Sequence, residues 1–192
     1  MQSMIKVVFF DVGGVLLKQD SNVFDVFDKM NGFQSGESVR LWTEYLHQAH
    51  TGKIFSPQQY YQFPQITNLK NKLYETNKPT KGIIRILNEL SASLRLGVIS
   101  NFTPDLDDVL KQIGVYDFFE HVINSSQVGI KKPSPEIYNV SCSKFNILPS
   151  EAIFVDDNSR NVEAAQDFGM NGILFTGSDS LETALRQYSR NT

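Results

Sequence analysis

The stretch Val7-Val8-Phe9-Phe10-Asp11 decides the reading of the fold. Four successive β-branched or aromatic residues without polar alternation suit a strand buried on both faces, as in a parallel sheet. Three further runs repeat the pattern, Leu96–Ile99, Val122-Ile123 and Ile153–Val155, and Ile173–Phe175 is a weaker fifth. Amphipathic stretches lie between them. Ile83, Ile84, Leu87 and Leu90 fall on one helical face, and Leu106, Val109, Leu110 and Ile113 on another. Thr103-Pro104 and Ser134-Pro135 read as helix caps followed by proline at the first helical position. Gly114 and Gly169 sit where helices should stop. Strands alternating with helices predict an α/β fold, a doubly wound parallel sheet with right-handed crossovers.

One region breaks the alternation. Between about Lys18 and Pro79 no convincing strand is legible. Val23, Phe24, Phe27 and Met30 repeat at helical spacing, as do Val39, Trp42, Tyr45, Leu46 and Ala49. The expectation is a small helical insert after the first strand, residues 18–79, with Asn77-Lys78-Pro79-Thr80 as the return hinge. Residues 1–17 and 80–192 then form the α/β core. Trp42 and Tyr45 are expected in the core of the insert.

Bulk properties exclude several classes. The chain has 192 residues, enough for one core with a small insert. Its net charge of −3 gives no basic field for nucleic acid or an anionic membrane. A single cysteine, Cys142, cannot form an internal disulfide, which fits a reducing compartment. The first apolar run is too short for a signal peptide, and no run approaches the roughly 20 residues of a membrane span. A cytoplasmic protein is expected.

The chemistry collects at strand ends. Ligands of open parallel sheets bind beyond the carboxyl ends of the strands. Asp11 follows the first strand, Ser100 and Asn101 the second, Lys131 and Lys132 lie after the third, and Asp156 and Asp157 follow the fourth. Any one set could merely end a strand or cap a helix. Four sets on one rim match the needs of phosphoryl transfer: a nucleophile, a divalent cation and donors for phosphate oxygens. An aspartate can attack phosphorus, and clustered carboxylates repel one another unless a hard cation such as Mg²⁺ sits among them. His47 and His50 are three apart, but without cysteine or further histidine partners zinc is not expected. His121 and Cys142 read as structural.

These residues carry a resemblance. Phe9-Phe10-Asp11-Val12-Gly13-Gly14-Val15-Leu16 resembles the first motif of the haloacid dehalogenase-like superfamily, and Val98-Ile99-Ser100-Asn101 the second. Val128 through Tyr138, containing Lys131-Lys132-Pro133, resembles the third, and Phe154 through Ala165, containing Asp156-Asp157-Asn158, the fourth. The insert stands where this family carries a helical cap. The branch most similar is that of small sugar-phosphate phosphatases, the glucose-1-phosphatase-like enzymes. The resemblance implies Asp11 as nucleophile and metal ligand, the Gly13 carbonyl as a second ligand, and Asp157 on Mg²⁺ with Asp156 in support. It implies Ser100 and the amide at Asn101 as phosphate holders and Lys132 as the neutralising cation. The implied substrate is a small phosphorylated metabolite.

The chain departs from that pattern at one place. Family phosphatases carry a second aspartate two residues after the nucleophile as acid and base, and here that position is Gly13. Some members of the sugar-phosphatase branch share this glycine. The departure predicts a preference for substrates whose leaving group needs little help, or a proton supplied by water or by the insert, where Glu44, His47 and His50 are candidates. Two alternatives stand beside the phosphatase: a haloacid dehalogenase-type hydrolase, and a non-catalytic phosphate- or partner-binding protein.

Overall fold

The computed structural model describes residues 4–18, 20, 22–50 and 64–189. Five strands form one parallel sheet: β1 (Val7–Phe10), β4 (Arg95–Ser100), β5 (His121–Asn124), β6 (Ala152–Asp156) and β7 (Asn171–Leu174). Their order is β5-β4-β1-β6-β7. The chain therefore moves outward from β1 on one side, then crosses to the other. The crevice opens where that direction reverses, at the end of β1 between β4 and β6.

Period-two side chains explain why the strands carry no polar alternation. Val8, Phe10, Leu96, Val98, Ile153 and Val155 point into one core. Helices α4 (Ile83–Ser91), α5 (Leu106–Gln112) and α9 (Ser178–Ser189) cover it. Val7, Phe9, Ile99, Ala152 and Phe154 point into the other core. Helices α7 (Pro135–Phe145) and α8 (Ser159–Asp167) cover that face. Gly97 lies on this second face, where a β-carbon would stand 2.7 Å from the Phe9 ring and 2.8 Å from that of Phe145. Gly97→Ala is expected to cost about 1–3 kcal/mol through overpacking. The check is urea unfolding, in which the midpoint should fall with an unchanged slope.

The first strand ends in a tight loop that leads into β2 (Leu17–Lys18). Contrary to the strandless insert expected, β2 pairs antiparallel with β3 (Lys78–Pro79). The residues expected as a return hinge thus form half of a short two-stranded ribbon. Between its strands lie α1 (Asn22–Asn31), α2 (Glu37–Ala49) and α3 (Pro64–Glu75). Val23, Phe27, Trp42, Tyr45, Ala49, Leu69 and Leu73 bury a separate small core there. Asp28 fixes the α1–α2 corner by accepting N–H bonds from Gly36 at 2.8 Å and Ser38 at 2.9 Å. Met30 and Val39, counted in the apolar stripes, face outward.

Three local expectations need correction. The buried face of α4 runs through Ile83, Ile86 and Leu87, with Ile84 exposed. That is the i, i+3, i+4 pattern of a helix packed on a sheet. Thr103 does not cap α5. The helix begins two residues after Pro104, and the Thr103 hydroxyl donates to Asp105 at 2.5 Å. Ser134 does precede α7 with Pro135 in its first turn, but its hydroxyl bonds Glu136 rather than a backbone amide. Gly114 and Gly169 do follow helices in left-handed conformation, with φ of 72° and 104°. Among the described residues, no helix is long and apolar enough to cross a membrane.

Candidate active site

Asp11 stands one residue beyond β1. Extending the register from the Phe10 pairs with Val98 and Val155 sets it beside β4 and β6. Its amide donates to the Val155 carbonyl at 2.9 Å. Two donors meet on one carboxylate oxygen: the Ser100 hydroxyl at 2.8 Å and the Lys132 ammonium at 2.7 Å, both on Oδ1. The carboxylate is fixed by one oxygen, and no donor among the described residues occupies Oδ2.

Lys132 is nearly fully buried and bridges two carboxylates, reaching Asp156 Oδ2 at 2.6 Å. Its position depends on Asn101. The Asn101 side chain accepts from the Lys132 amide at 2.8 Å and donates to the Lys132 carbonyl at 3.0 Å. That side chain is thereby committed to holding the lysine loop, which leaves the backbone amide for the phosphate role expected of Asn101. Lys131 is not drawn into the carboxylate cluster.

Asp156 is fully enclosed. Besides Lys132, Asp156 accepts from the Asn161 side chain at 3.0 Å on Oδ2 and from the Asn158 amide at 2.8 Å on Oδ1. Oδ2 thus has two donors and Oδ1 one. Asp157 is more open, and its ligand oxygen lies within 4.8 Å of those of Asp11 and Asp156. Burial pushes the Asp156 and Asp157 carboxyls above the usual range, and repulsion from Asp11 adds to both shifts. Among the described residues three carboxylates share one lysine here, an arrangement that suits a hard, oxygen-seeking cation. Asp11 and Asp157 could hold such a cation, with the more heavily hydrogen-bonded Asp156 behind them.

Gly14 makes this cluster possible. Its φ is +79°, and a β-carbon there would lie 2.0 Å from Asp157 Oδ2. Gly14→Ala is therefore expected to displace Asp157 and weaken Mg²⁺ binding at least tenfold, checked by calorimetric titration. At Gly13, by contrast, nothing lies within 4 Å of a β-carbon.

Above the carboxylates lies a cavity of about 240 Å³. The core contributes Asp11, Gly13, Ser100, Asn101, Phe102, Lys132, Asp156 and Asp157 to its lining, and the insert contributes Trp42, Leu46, His50 and Tyr74. Of the three proton candidates, only His50 reaches this space. Glu44 and His47 line a separate surface groove, where Glu44 pairs with Arg40. Burial lowers the His50 pKa to about 4, with help from Lys131 and against the pull of Asp11. His50 is neutral at pH 7. Because an unfolded histidine takes up a proton near pH 6.5, stability should fall as pH drops from 6.5 toward 4. His50→Gln should remove that part of the pH dependence in urea unfolding.

Sequence reasoning missed several supports. Asn161 holds Asp156, and the buried Tyr138 hydroxyl in turn donates to the Asn161 carbonyl at 2.8 Å. Only the inward face of the first turn of α8 marks Asn161 out. Asn124 donates to the Thr103 carbonyl at 2.8 Å and Ser125 accepts from the Phe102 amide at 3.3 Å, steadying the loop after β4. The insert is tied to that loop: Lys70 pairs with Asp105, and Tyr74 donates to the same carboxylate at 2.8 Å. Trp42, expected in the insert core, packs there and also lines the cavity.

Comparison with known proteins agrees with this fold. A 34% identical segment of 94 residues is shared with the mouse haloacid dehalogenase-like hydrolase domain-containing protein 3. It spans 48% of this chain and only 38% of the mouse protein. Sesquiterpene phosphatase astK of Aspergillus oryzae is 28% identical over 195 residues, covering 96% of each chain. A Bacteroides thetaiotaomicron HAD family enzyme, 21% identical, aligns with a TM-score of 0.79 over 95% of this chain and 99% of its own. The same enzyme in complex with magnesium and inorganic phosphate aligns at 0.70, with 22% identity over 91% and 96%. The profile of haloacid dehalogenase-like hydrolases matches residues 5–169, and the chain belongs to that family.

Proposed function

We infer that the protein is a Mg²⁺-dependent phosphatase that hydrolyses a small phosphomonoester through an aspartyl-phosphate on Asp11. The observation that carries this reading is the Asp11 carboxylate, held by Ser100 and Lys132 within a trio of carboxylates that, among the described residues, has that one lysine as its cation. A fold neighbour crystallised with magnesium and phosphate supports it, as does a full-length relative named as a phosphatase.

In the first half-reaction the Asp11 carboxylate attacks phosphorus, the bond to the leaving oxygen breaks, and that oxygen departs with its electron pair. In the second, water attacks the same phosphorus and the Asp11–phosphorus bond breaks, returning the carboxylate; the proton that water sheds balances the one the departed alkoxide takes from solvent, so the products are the alcohol and inorganic phosphate. Lys132 and the Ser100 hydroxyl, which donates to Asp11, orient the nucleophile, and the Asn101 backbone amide would donate to a phosphate oxygen, joined by Ser100 once its hydroxyl turns from Asp11. Mg²⁺ on Asp11, Asp157 and the Gly13 carbonyl would supply the charge that lets an anionic phosphate approach carboxylates. The insert, whose Trp42, Leu46, His50 and Tyr74 line the cavity, would act as a cap that limits the access of bulk water. The trio disfavours the metal-free dehalogenase reading.

The test is phosphate release from a panel of phosphomonoesters, with Mg²⁺ and with chelator, using Asp11→Asn as the blank. Mg²⁺-dependent release lost in the variant supports the reading. Phosphate binding without turnover would favour the binding-protein alternative. Chloride release from a 2-haloacid without metal dependence would favour the dehalogenase.

A further inference from the structure

We propose that the substrate of this phosphatase carries a compact apolar leaving group, of the size of one aromatic ring, rather than a polyol. The inference rests on the phosphatase reading above and replaces the expectation of a sugar phosphate.

The first observation is the face that the insert turns to Asp11. Trp42, Leu46 and His50 follow one another at four-residue steps along α2 and its C-cap, so they form one stripe. All three line the cavity, and Phe102 adds an aromatic ring from the core side. Among the described residues, the insert gives this cavity no charged side chain. His50 is itself neutral at pH 7.

The second observation is that, among the described residues, most polar side chains around the cavity are already engaged. Both ends of the Asn101 amide bond the Lys132 backbone. The Tyr74 hydroxyl donates to Asp105, and so does that of Thr103. Ser100 is committed to Asp11 and Asn161 to Asp156. A sugar buried here would leave several hydroxyls unpaired, and each unpaired buried hydroxyl costs binding. An aromatic ring demands no such partners and gains from contact with Trp42, Leu46 and Phe102.

Size gives a third constraint. An apolar cavity of about 150 Å³ accepts benzene. A space of about 240 Å³ that must also hold a phosphoryl group has room for one ring beside it.

The experiment compares benzyl phosphate with glucose 6-phosphate on the Mg²⁺-loaded enzyme. Both have primary alcohol leaving groups, so the comparison weighs the seat rather than leaving-group chemistry. The expected kcat/KM ratio favours benzyl phosphate by about 10–100-fold, the worth of burying one such ring. Trp42→Ala and, independently, Leu46→Ser should bring the ratio toward one. Dimethylallyl and farnesyl phosphates extend the series, and activity should fall from the five-carbon to the fifteen-carbon chain. Equal or greater efficiency on glucose 6-phosphate would overturn the proposal while leaving the phosphatase reading intact. Binding is read separately from turnover. Trp42 is the chain's single tryptophan, so its fluorescence reports directly on the seat in Asp11→Asn. If no ester is hydrolysed, the phosphatase reading fails, and the same titration decides the seat. Tighter binding of benzyl phosphate than of glucose 6-phosphate supports it, and the reverse order overturns it.

Discussion

Lys132→Met is expected to lower the melting temperature by about 10 °C and phosphatase activity by about 10²–10³-fold. Among the described residues, Lys132 is the one ammonium that touches both Asp11 and Asp156, at 2.7 and 2.6 Å. Methionine fills much of the same volume, so packing is nearly conserved and the charge is what disappears. Removing one partner of a buried ionic group typically costs about 3–5 kcal/mol, because the remaining charges stay buried without compensation. For a chain of this length each kcal/mol corresponds to roughly 2–4 °C. The activity loss follows from removing one fixed donor beside the nucleophile.

The pH dependence of that variant separates charge from packing. Asp156 and Asp157 already sit above the usual carboxylate range. Without Lys132 they move further up, so the folded state binds protons that the unfolded chain releases. Stability must then fall as pH rises through that window. The deficit relative to the wild type should therefore be largest at pH 7 and shrink toward pH 5 in urea unfolding. A deficit of the same size at both pH values would mean that lost packing, not unbalanced charge, destabilises the variant.

The same cluster shows what a sequence can and cannot disclose. Asp11, Ser100 and Asp156 were legible because each ends or follows a strand, and in a parallel sheet strand ends share one rim. The period-two logic that buries Val7 to Phe10 is local, and it places Asp11 without any long-range knowledge. Lys132 was legible as a member of the same rim. That Asn101 holds it by both ends of its amide was not, because this pairing joins residues 31 apart in two loops. The same holds for Tyr138, which supports Asn161 from a neighbouring helix. The insert was the hardest to read. Its α2 stripe looks like ordinary core spacing, and Trp42 does pack there. Only docking of the insert over the carboxylates turns one edge of that stripe into a wall of the cavity. The β2–β3 ribbon escaped notice because two residues per strand leave no periodicity to detect.

Gly13→Asp is expected to raise turnover of alkyl phosphates by about 10²–10⁴-fold, the usual worth of a positioned acid–base group. The backbone permits the change. Gly13 is not among the positive-φ glycines, and a β-carbon there meets nothing within 4 Å. It lines the same cavity as Asp11, so a carboxyl grown from it has room beside the departing oxygen. In the native chain the leaving oxygen receives no proton from that position, and the rate should climb steeply as the leaving alcohol becomes more acidic. Phenyl phosphate, whose phenolate departs without help, should therefore gain little from the new acid. Benzyl phosphate, which fits the same seat but releases a poor leaving group, should gain most. A plot of log kcat/KM against leaving-group pKa should then flatten in the variant. If both esters gained or lost in equal proportion, the missing carboxyl would have no bearing on leaving-group choice. Selectivity would then lie in the apolar seat alone.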